Sequence, residues 1–144
     1  MMNKRFGTIV LDTAFRFIIP FLMVYAVYVL VHGEDSPGGG FQAGALLGIA
    51  VVLSRLVHGD EAILNINGNK ALMIAGSGTF IYGLVGVVPI LCGGNFLEYG
   101  KLPFVLPGPQ KHALGILGIE IGVTLCVMAT IIVIFDALVG REEG

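Results

Sequence analysis

The segment ALGILGIEIGVTLCVMATIIVIFDALV, residues 113–139, decides the fold class of this chain because it stays apolar for longer than a bilayer is thick. Its charged residues are Glu120 and Asp136. The hydrocarbon core of a bilayer is about 30 Å thick, and a helix of about 20 predominantly apolar residues crosses it. Residues 113–139 are therefore predicted to form a transmembrane helix.

Three more apolar stretches precede it, at residues 6–31, 41–57 and 71–92. The first and third reach spanning length, while the second is slightly short and needs its glycine-rich flank to complete a crossing. We therefore predict an all-α integral membrane protein, a single domain over residues 1–144 with four transmembrane helices and glycine-rich packing faces.

The composition fits the same class and excludes several others. Apolar residues make up 56% of the chain, charged residues 12%, and the mean hydropathy is +0.91, whereas a soluble domain carries about 25% charged residues. A net charge of −2 gives no electrostatic basis for binding nucleic acid. Cys92 and Cys126 lie apart from any Cys/His cluster, so neither a metal site nor a disulfide is predicted. No catalytic motif is present, so we expect neither an enzyme nor a bound cofactor.

Basic residues predict how the chain sits in the membrane. Lys4 and Arg5 precede the first apolar run, as in a signal peptide, but that run is too long and no small-residue cleavage site follows it. We interpret it as a retained first helix. Basic residues in cytoplasmic loops set orientation, and the side that holds both termini carries five of them against two on the other. Both termini are therefore predicted to be cytoplasmic. The five are Lys4, Arg5, Arg55, Lys70 and Arg141, and the two are Lys101 and Lys111.

The string PGGGFQ at residues 37–42 is predicted to form a sharp turn before the second helix. Proline biases the residue before it away from helix, and glycine adopts conformations closed to other residues. Phe41 is predicted to anchor this turn in the membrane interface. Further along, glycines recur at helical spacing, which allows close helix contacts in a membrane. They pack the helices of this chain together or dock other subunits, and the sequence leaves both open. These glycines are Gly40, Gly44, Gly48, Gly76, Gly83, Gly86, Gly115, Gly118 and Gly122.

Ionisable residues inside the spans are the candidate functional residues, because charge is costly in a bilayer. Asp12 and Arg16 are four residues apart, so they share a helix face in the favourable order for an ion pair. Together with Arg55 and Asp136 they lie near the predicted cytoplasmic helix ends. Such a cluster either holds the helices in register or borders a hydrated ion path.

Glu120 is the deepest of these charges, about 10 Å from the predicted outer end of the fourth helix. It points away from Gly118 and Gly122, which are two residues before and after it. One interpretation is a protonated acid bonded to a backbone carbonyl or to Thr124; the other is a proton or cation relay, or a contact to another subunit. His32 is added as a candidate because histidine titrates near neutral pH.

These residues resemble a known family. The resemblance rests on the PGGGFQ string at 37–42 and the GIEIG string at 118–122, and it extends over the whole chain. The family is MnhB/MrpB, which supplies the B component of multisubunit Mrp-type sodium/proton antiporters, with related subunits in complex-I-like membrane-bound hydrogenases and sulfane reductases. Other positions that carry it are Arg16, Pro20, Tyr25, Tyr28, His32, Gly33 and Gly44.

The resemblance implies an accessory subunit that bridges large antiporter-like subunits in the cytoplasmic membrane of a prokaryote. Its partners would be those subunits and the lipid bilayer, and the complex would handle Na⁺ and H⁺. The alternative is the equivalent module of a redox-driven pump that carries a hydrogenase or reductase, and a third interpretation is a scaffold without an ionisable role. The resemblance makes the turn formed by Pro37, Gly38, Gly39, Gly40 and Phe41 important for assembly or transport. Candidates for an ion or proton path are Glu120, Asp12, Arg16, Asp136 and His32.

Overall fold

Four long helices make up the chain. The structure is a computed structural model that describes residues 9–35, 38–62 and 64–142, without the side chains of residues 34, 60, 141 and 142. Each helix is long and apolar enough to cross a bilayer, and no strand occurs among the described residues. The predicted all-α class with four spans is confirmed. The helices are α1 (Ile9–Val31), α2 (Gly39–His58), α3 (Gly68–Leu91) and α4 (Gly108–Glu142).

Three of the helices begin earlier than the apolar runs indicate. The α3 helix begins at Gly68 because the Asn67 side chain accepts a hydrogen bond from the Lys70 backbone N–H at 3.0 Å and caps it. The α4 helix begins at Gly108 with Pro109 in its first turn, a place where the missing N–H of proline costs nothing. Polar and glycine residues thus extend both helices beyond their apolar segments. The predicted beginning of the first run, including Lys4 and Arg5, lies outside the described residues.

The predicted glycine turn before α2 needs a correction. Gly38 has a φ of +84° and makes the turn, which suits glycine because other residues avoid that conformation. Gly39 and Gly40, however, are the first residues of α2 and are buried. Since their backbone is helical, their lack of a side chain serves close packing, as described below. Pro37 lies outside the described residues.

The helices stand in a row in the order α1, α2, α4, α3. Helix α2 packs between α1 and α4, and α4 packs between α2 and α3. Helices α2 and α4 run parallel, because Gly40, Gly44 and Gly48 meet successively later residues of α4. The buried apolar core surrounds α4 and consists of Val51, Ala71, Met128, Ala129 and Ile132. A row leaves the outer faces of α1 and α3 exposed.

Glycines set the distance between α2 and α4. A Cβ atom added to Gly40 would lie 2.7 Å from the backbone oxygen of Glu120, and one added to Gly44 would lie 2.7 Å from that of Thr124. At Gly48 the added atom would lie 3.0 Å from Cβ of Ile131. The α2 backbone therefore lies directly against α4 over two helical turns.

The opposite face of α4 meets α3 in the same way. A Cβ atom on Gly78 would lie 2.6 Å from the Gly122 backbone oxygen, and one on Gly118 would lie 3.0 Å from Val85. These glycines serve packing within the chain, one of the two interpretations left open by the sequence. Gly76 and Gly83 differ, because nothing lies within 4 Å of an added Cβ atom.

The loop between α3 and α4 folds over one end of the row. Its 3₁₀ turn, Tyr99–Lys101, is followed by the buried Leu102. Tyr99 packs over Gly115 and meets the His112 ring edge-on. Burial, and then the neighbouring Tyr82, raise the pKa of Tyr99 above its ordinary value. The phenol therefore stays neutral, and the loop forms the ordered cap predicted from its prolines.

Gly44→Ala is expected to destabilise the protein, whereas Gly76→Ala is not. The new methyl group at residue 44 would press on the α4 backbone, which cannot rotate away, at a cost of about 1–3 kcal/mol. At residue 76 the same methyl group meets open space. The measurement is the thermal unfolding midpoint of each variant in mild detergent. Equal midpoints for the two variants would contradict the described α2–α4 contact.

Candidate functional site

The carboxyl group of Glu120 lies in a notch formed by three glycines, Gly33, Gly39 and Gly40, which we call the glycine notch. A Cβ atom added to Gly39 would lie 2.9 Å from Glu120 Oε1, and one added to Gly33 would overlap Oε2. At Gly40 it would press on the Glu120 backbone. Each glycine thus leaves room for a part of Glu120 that any side chain would displace.

The glycine notch places this carboxyl group at the beginning of α2. The first N–H groups of a helix have no partner within the helix, and the helix dipole is positive there. Negative charge on Glu120 is therefore stabilised by the backbone of α2. Gly118 and Gly122 face α3 on the opposite side, so the predicted opposition between Glu120 and these glycines is observed.

Thr124 joins the two helices one turn beyond Glu120. Its hydroxyl group lies 2.7 Å from the Glu120 backbone oxygen and 3.0 Å from that of Gly40, and it donates to these two carbonyls. The side chain is buried. Thr124 therefore fixes the α4 backbone against α2 at the position that presents Glu120 to the glycine notch.

A cavity of about 380 Å³ leads away from Glu120 along α4. Gln110 also lines it, and ten residues of helix separate the two polar side chains by about 15 Å. The other lining residues are apolar, from the end of α1, the capping loop and α4, so Glu120 contributes the charged group of this cavity. They are Val31, Leu106, Ala113, Leu114 and Leu117.

The opposite end of the α2–α4 pair carries an ion pair. Arg55 of α2 donates to Asp136 of α4, with 2.6 Å between NH1 and Oδ1. The same NH1 group donates to the Ile66 backbone oxygen at 3.2 Å, and the guanidinium lies 5.4 Å from the centre of the Phe135 ring. Arg55 therefore connects α2, α4 and the segment before α3.

Asp12 and Arg16 form a second ion pair on α1. Arg16 Nε lies 2.9 Å from Asp12 Oδ2, as their spacing predicts. No hydrogen bond or ion pair connects this pair to Arg55 and Asp136 within the part of the chain that the structure describes. The four residues predicted as one cluster are thus arranged as two separate pairs.

The other candidate residues lie between α1 and α2. The His32 ring stacks on Tyr28 with 4.2 Å between ring centres, and its Nδ1 lies 3.0 Å from the Tyr28 backbone oxygen. Phe41 is exposed and lines a groove with Tyr25 and Val29 of α1. His32 precedes Gly33 of the glycine notch, whereas Phe41 lies on the outside of the helix row.

The sequence analysis missed one polar group. Ser54, His58 and Glu61 line a second cavity together with Arg16. They belong to the last turns of α2 and the 3₁₀ turn after it, and their residue types are ordinary there. The helical spacing of Ser54 and His58 was the available signal. In the described segments no three His, Cys, Asp or Glu side chains are placed to hold a metal ion.

Comparisons with known proteins agree on one family. Residues 10–133 match a family model described as a domain related to the MnhB subunit of Na⁺/H⁺ antiporters. A protein named "Putative antiporter subunit mnhB2" from Staphylococcus haemolyticus (strain JCSC1435) is 31% identical over 140 residues, 94% of this chain and 96% of the relative. A Na⁺/H⁺ antiporter protein of the same B type, from Bacillus subtilis (strain 168), is 25% identical over 139 residues, 91% of this chain and 97% of the relative. No solved structure shows significant similarity.

Replacing one partner of the Arg55–Asp136 pair is expected to destabilise the protein more than replacing both. Asp136→Leu leaves the half-buried Arg55 without its carboxylate, at a cost on the order of 2 kcal/mol, whereas the double variant with Arg55→Leu leaves no uncompensated charge. Thermal unfolding midpoints of the single and double variants in mild detergent measure this. A double variant as unstable as the sum of both single variants would show that the two side chains do not interact.

Proposed function

The chain belongs to the family of domains related to the MnhB subunit of Na⁺/H⁺ antiporters, and on this premise we propose that it works as an accessory subunit of a multisubunit Na⁺/H⁺ antiporter in a bacterial cell membrane. The four spans and the alignment over nearly the full length of B-type antiporter subunits support this function. The relatives are named as antiporter subunits, and the redox-linked alternative gains no support from them.

The distribution of charge favours an accessory role over independent transport. The segment between Glu120 and Asp136 contains no charged residue, and at 1.5 Å per residue it separates the two by about 24 Å. Polar groups are thus concentrated at the two ends of the α2–α4 pair. A path for ions across the membrane would have to be completed by other subunits.

The shape of the helix row suits a bridging position. Large apolar side chains are exposed on α1, among them Phe17 and Phe21, and on α3, among them Phe80 and Leu84. The row therefore has an apolar face at each edge, where lipid or a membrane subunit fits. We propose that both termini, with the Arg55–Asp136 pair, lie on the cytoplasmic side, as the basic residues predict.

The glycine notch carries the proposal for ion handling. Glu120 is a carboxylic acid within a span, which is costly unless it has a function. Here three glycines keep its carboxyl group at a helix terminus and beside a cavity. We propose that Glu120 binds a proton or cation on a lateral path of the complex. Asp12, Arg16, Asp136 and His32 stay predictions as further members of such a path.

Glu120→Gln is expected to abolish most Na⁺/H⁺ antiport while the complex still assembles, because the amide has nearly the same shape but does not exchange a proton. The measurement is antiport in everted membrane vesicles, with copurification of the other subunits as the test of assembly. Asp35→Asn is the matched control, since Asp35 is an exposed acid two residues after Gly33.

The outcomes separate the two levels of the proposal. Full antiport by the Glu120→Gln complex would remove Glu120 from the ion path and leave the chain with a scaffold role only. If a tagged chain copurifies no other membrane subunit, the accessory function itself is wrong.

Phe41→Ala is expected to lower copurification of the other subunits at least several-fold. Phe41 projects from the outer side of α2 near α1, and an aromatic ring there provides a large contact area. Phe41→Leu retains much of that area and is the control. Unchanged assembly and antiport in Phe41→Ala would contradict a role for this side chain as an anchor.

A further inference from the structure

A cavity of about 450 Å³ lies between α1 and α2, at the end where α1 begins and α2 ends. We call it the α1–α2 cavity. Its lining changes from polar to apolar along α1, since Arg16 and Met23 are separated by about 10 Å of helix. The polar lining residues are Arg16, Ser54, His58 and Glu61, and the apolar ones are Ile19, Pro20, Met23 and Leu64.

The depth of the cavity matches the boundary between headgroups and acyl chains. Ser54 and His58 are in the last turns of the α2 span, and Glu61 follows that span. Ile19 and Met23 are further into the span of α1. A ligand that fills the cavity therefore needs a polar end at the membrane surface and an apolar end toward the bilayer interior.

The polar end offers one cation and one anion. Arg16 donates through Nε to Asp12, which leaves the terminal NH₂ groups of its guanidinium, and its side chain is 55% exposed. Guanidinium groups bind phosphate well. Glu61 is an exposed carboxylate, and the His58 ring, whose Nδ1 lies 3.2 Å from the Ser54 backbone oxygen, leaves Nε2 for a ligand.

This pattern of charge complements a zwitterionic headgroup. Arg16 suits a phosphate group, and Glu61 suits a primary ammonium that donates hydrogen bonds. An anionic headgroup without the ammonium would leave Glu61 opposite a negative charge. Inorganic phosphate would use none of the apolar lining, and a quaternary ammonium headgroup has no N–H to donate to Glu61.

We propose that the α1–α2 cavity binds one phospholipid whose headgroup carries a phosphate and a primary ammonium, as in phosphatidylethanolamine. Arg16 and His58 hold the phosphate, Glu61 holds the ammonium, and the first part of an acyl chain lies along Ile19 and Met23. Because α1 packs almost entirely on α2, this lipid fills the gap between them and holds α1 in the row. The proposal depends on the membrane location of the chain and not on its ion-handling function.

The test measures lipid bound to the purified complex. The complex is delipidated in mild detergent and titrated with phosphatidylethanolamine, phosphatidylglycerol, phosphatidylcholine or inorganic phosphate, and native mass spectrometry counts the bound molecules. We expect one phosphatidylethanolamine that binds about tenfold or more tightly than the other lipids, the range of one or two hydrogen bonds to a charged group.

Two variants assign the groups. Arg16→Gln is expected to weaken binding of phosphatidylethanolamine and phosphatidylglycerol alike. Glu61→Gln is expected to remove the preference for phosphatidylethanolamine while leaving phosphatidylglycerol binding at least as strong. Lys101→Gln is the control, because Lys101 is an exposed cation in the loop before α4 and its loss is expected to leave the bound lipid unchanged.

Met23→Trp tests the apolar end without altering any charge. The larger side chain would occupy the space of the acyl chain, so this variant is expected to lose the lipid from an assembled complex. Unchanged lipid binding in Arg16→Gln or Met23→Trp would overturn the proposal. Equal competition by inorganic phosphate would also overturn it, and so would crosslinking of residue 23 to another subunit instead of lipid.

Discussion

The contact between the backbones of α2 and α4 is the constraint on which the other features of this structure depend. Inside a bilayer the hydrophobic effect does not drive helices together, because lipid is as apolar as the side chains. Association then requires close van der Waals contact and hydrogen bonds. Gly40, Gly44 and Gly48 permit that contact along one face of α2, and the Thr124 hydroxyl group adds a hydrogen bond across it.

The same contact places the polar groups at both ends of the helix pair. Gly40 lies against Glu120, and Arg55 meets Asp136. These positions are 15 residues apart on α2 (55 − 40) and 16 residues apart on α4 (136 − 120), or about 22 Å and 24 Å of helix. Parallel helices of equal rise therefore bring both pairs into contact at once, and one register serves the glycine notch and the ion pair together.

The sequence predicts the helices well because the length and composition of each apolar run are local properties. It also predicts the Asp12–Arg16 pair, which lies within one helix. The glycine notch was beyond its reach, since Gly33 and Glu120 are 87 residues apart (120 − 33) and meet only because α4 is inserted between α2 and α3. For the same reason the partner of Asp136 was not predictable. Gly39 and Gly40 were misinterpreted because glycine serves turns and close contacts equally well.

The two edges of the row differ in a way that orients the chain within an assembly. On α3, Gly76 and Gly83 face open space, so a neighbouring helix has room to approach that backbone closely. On α1, Phe17 and Phe21 project outward, and such bulky side chains keep a neighbour at a distance or interdigitate with lipid. Helix α3 is also fixed to α4 through glycine contacts, whereas α1 meets α2 across open cavities. Because close contact and rigidity occur at the same edge, α3 is suited to a fixed contact and α1 to an adaptable one.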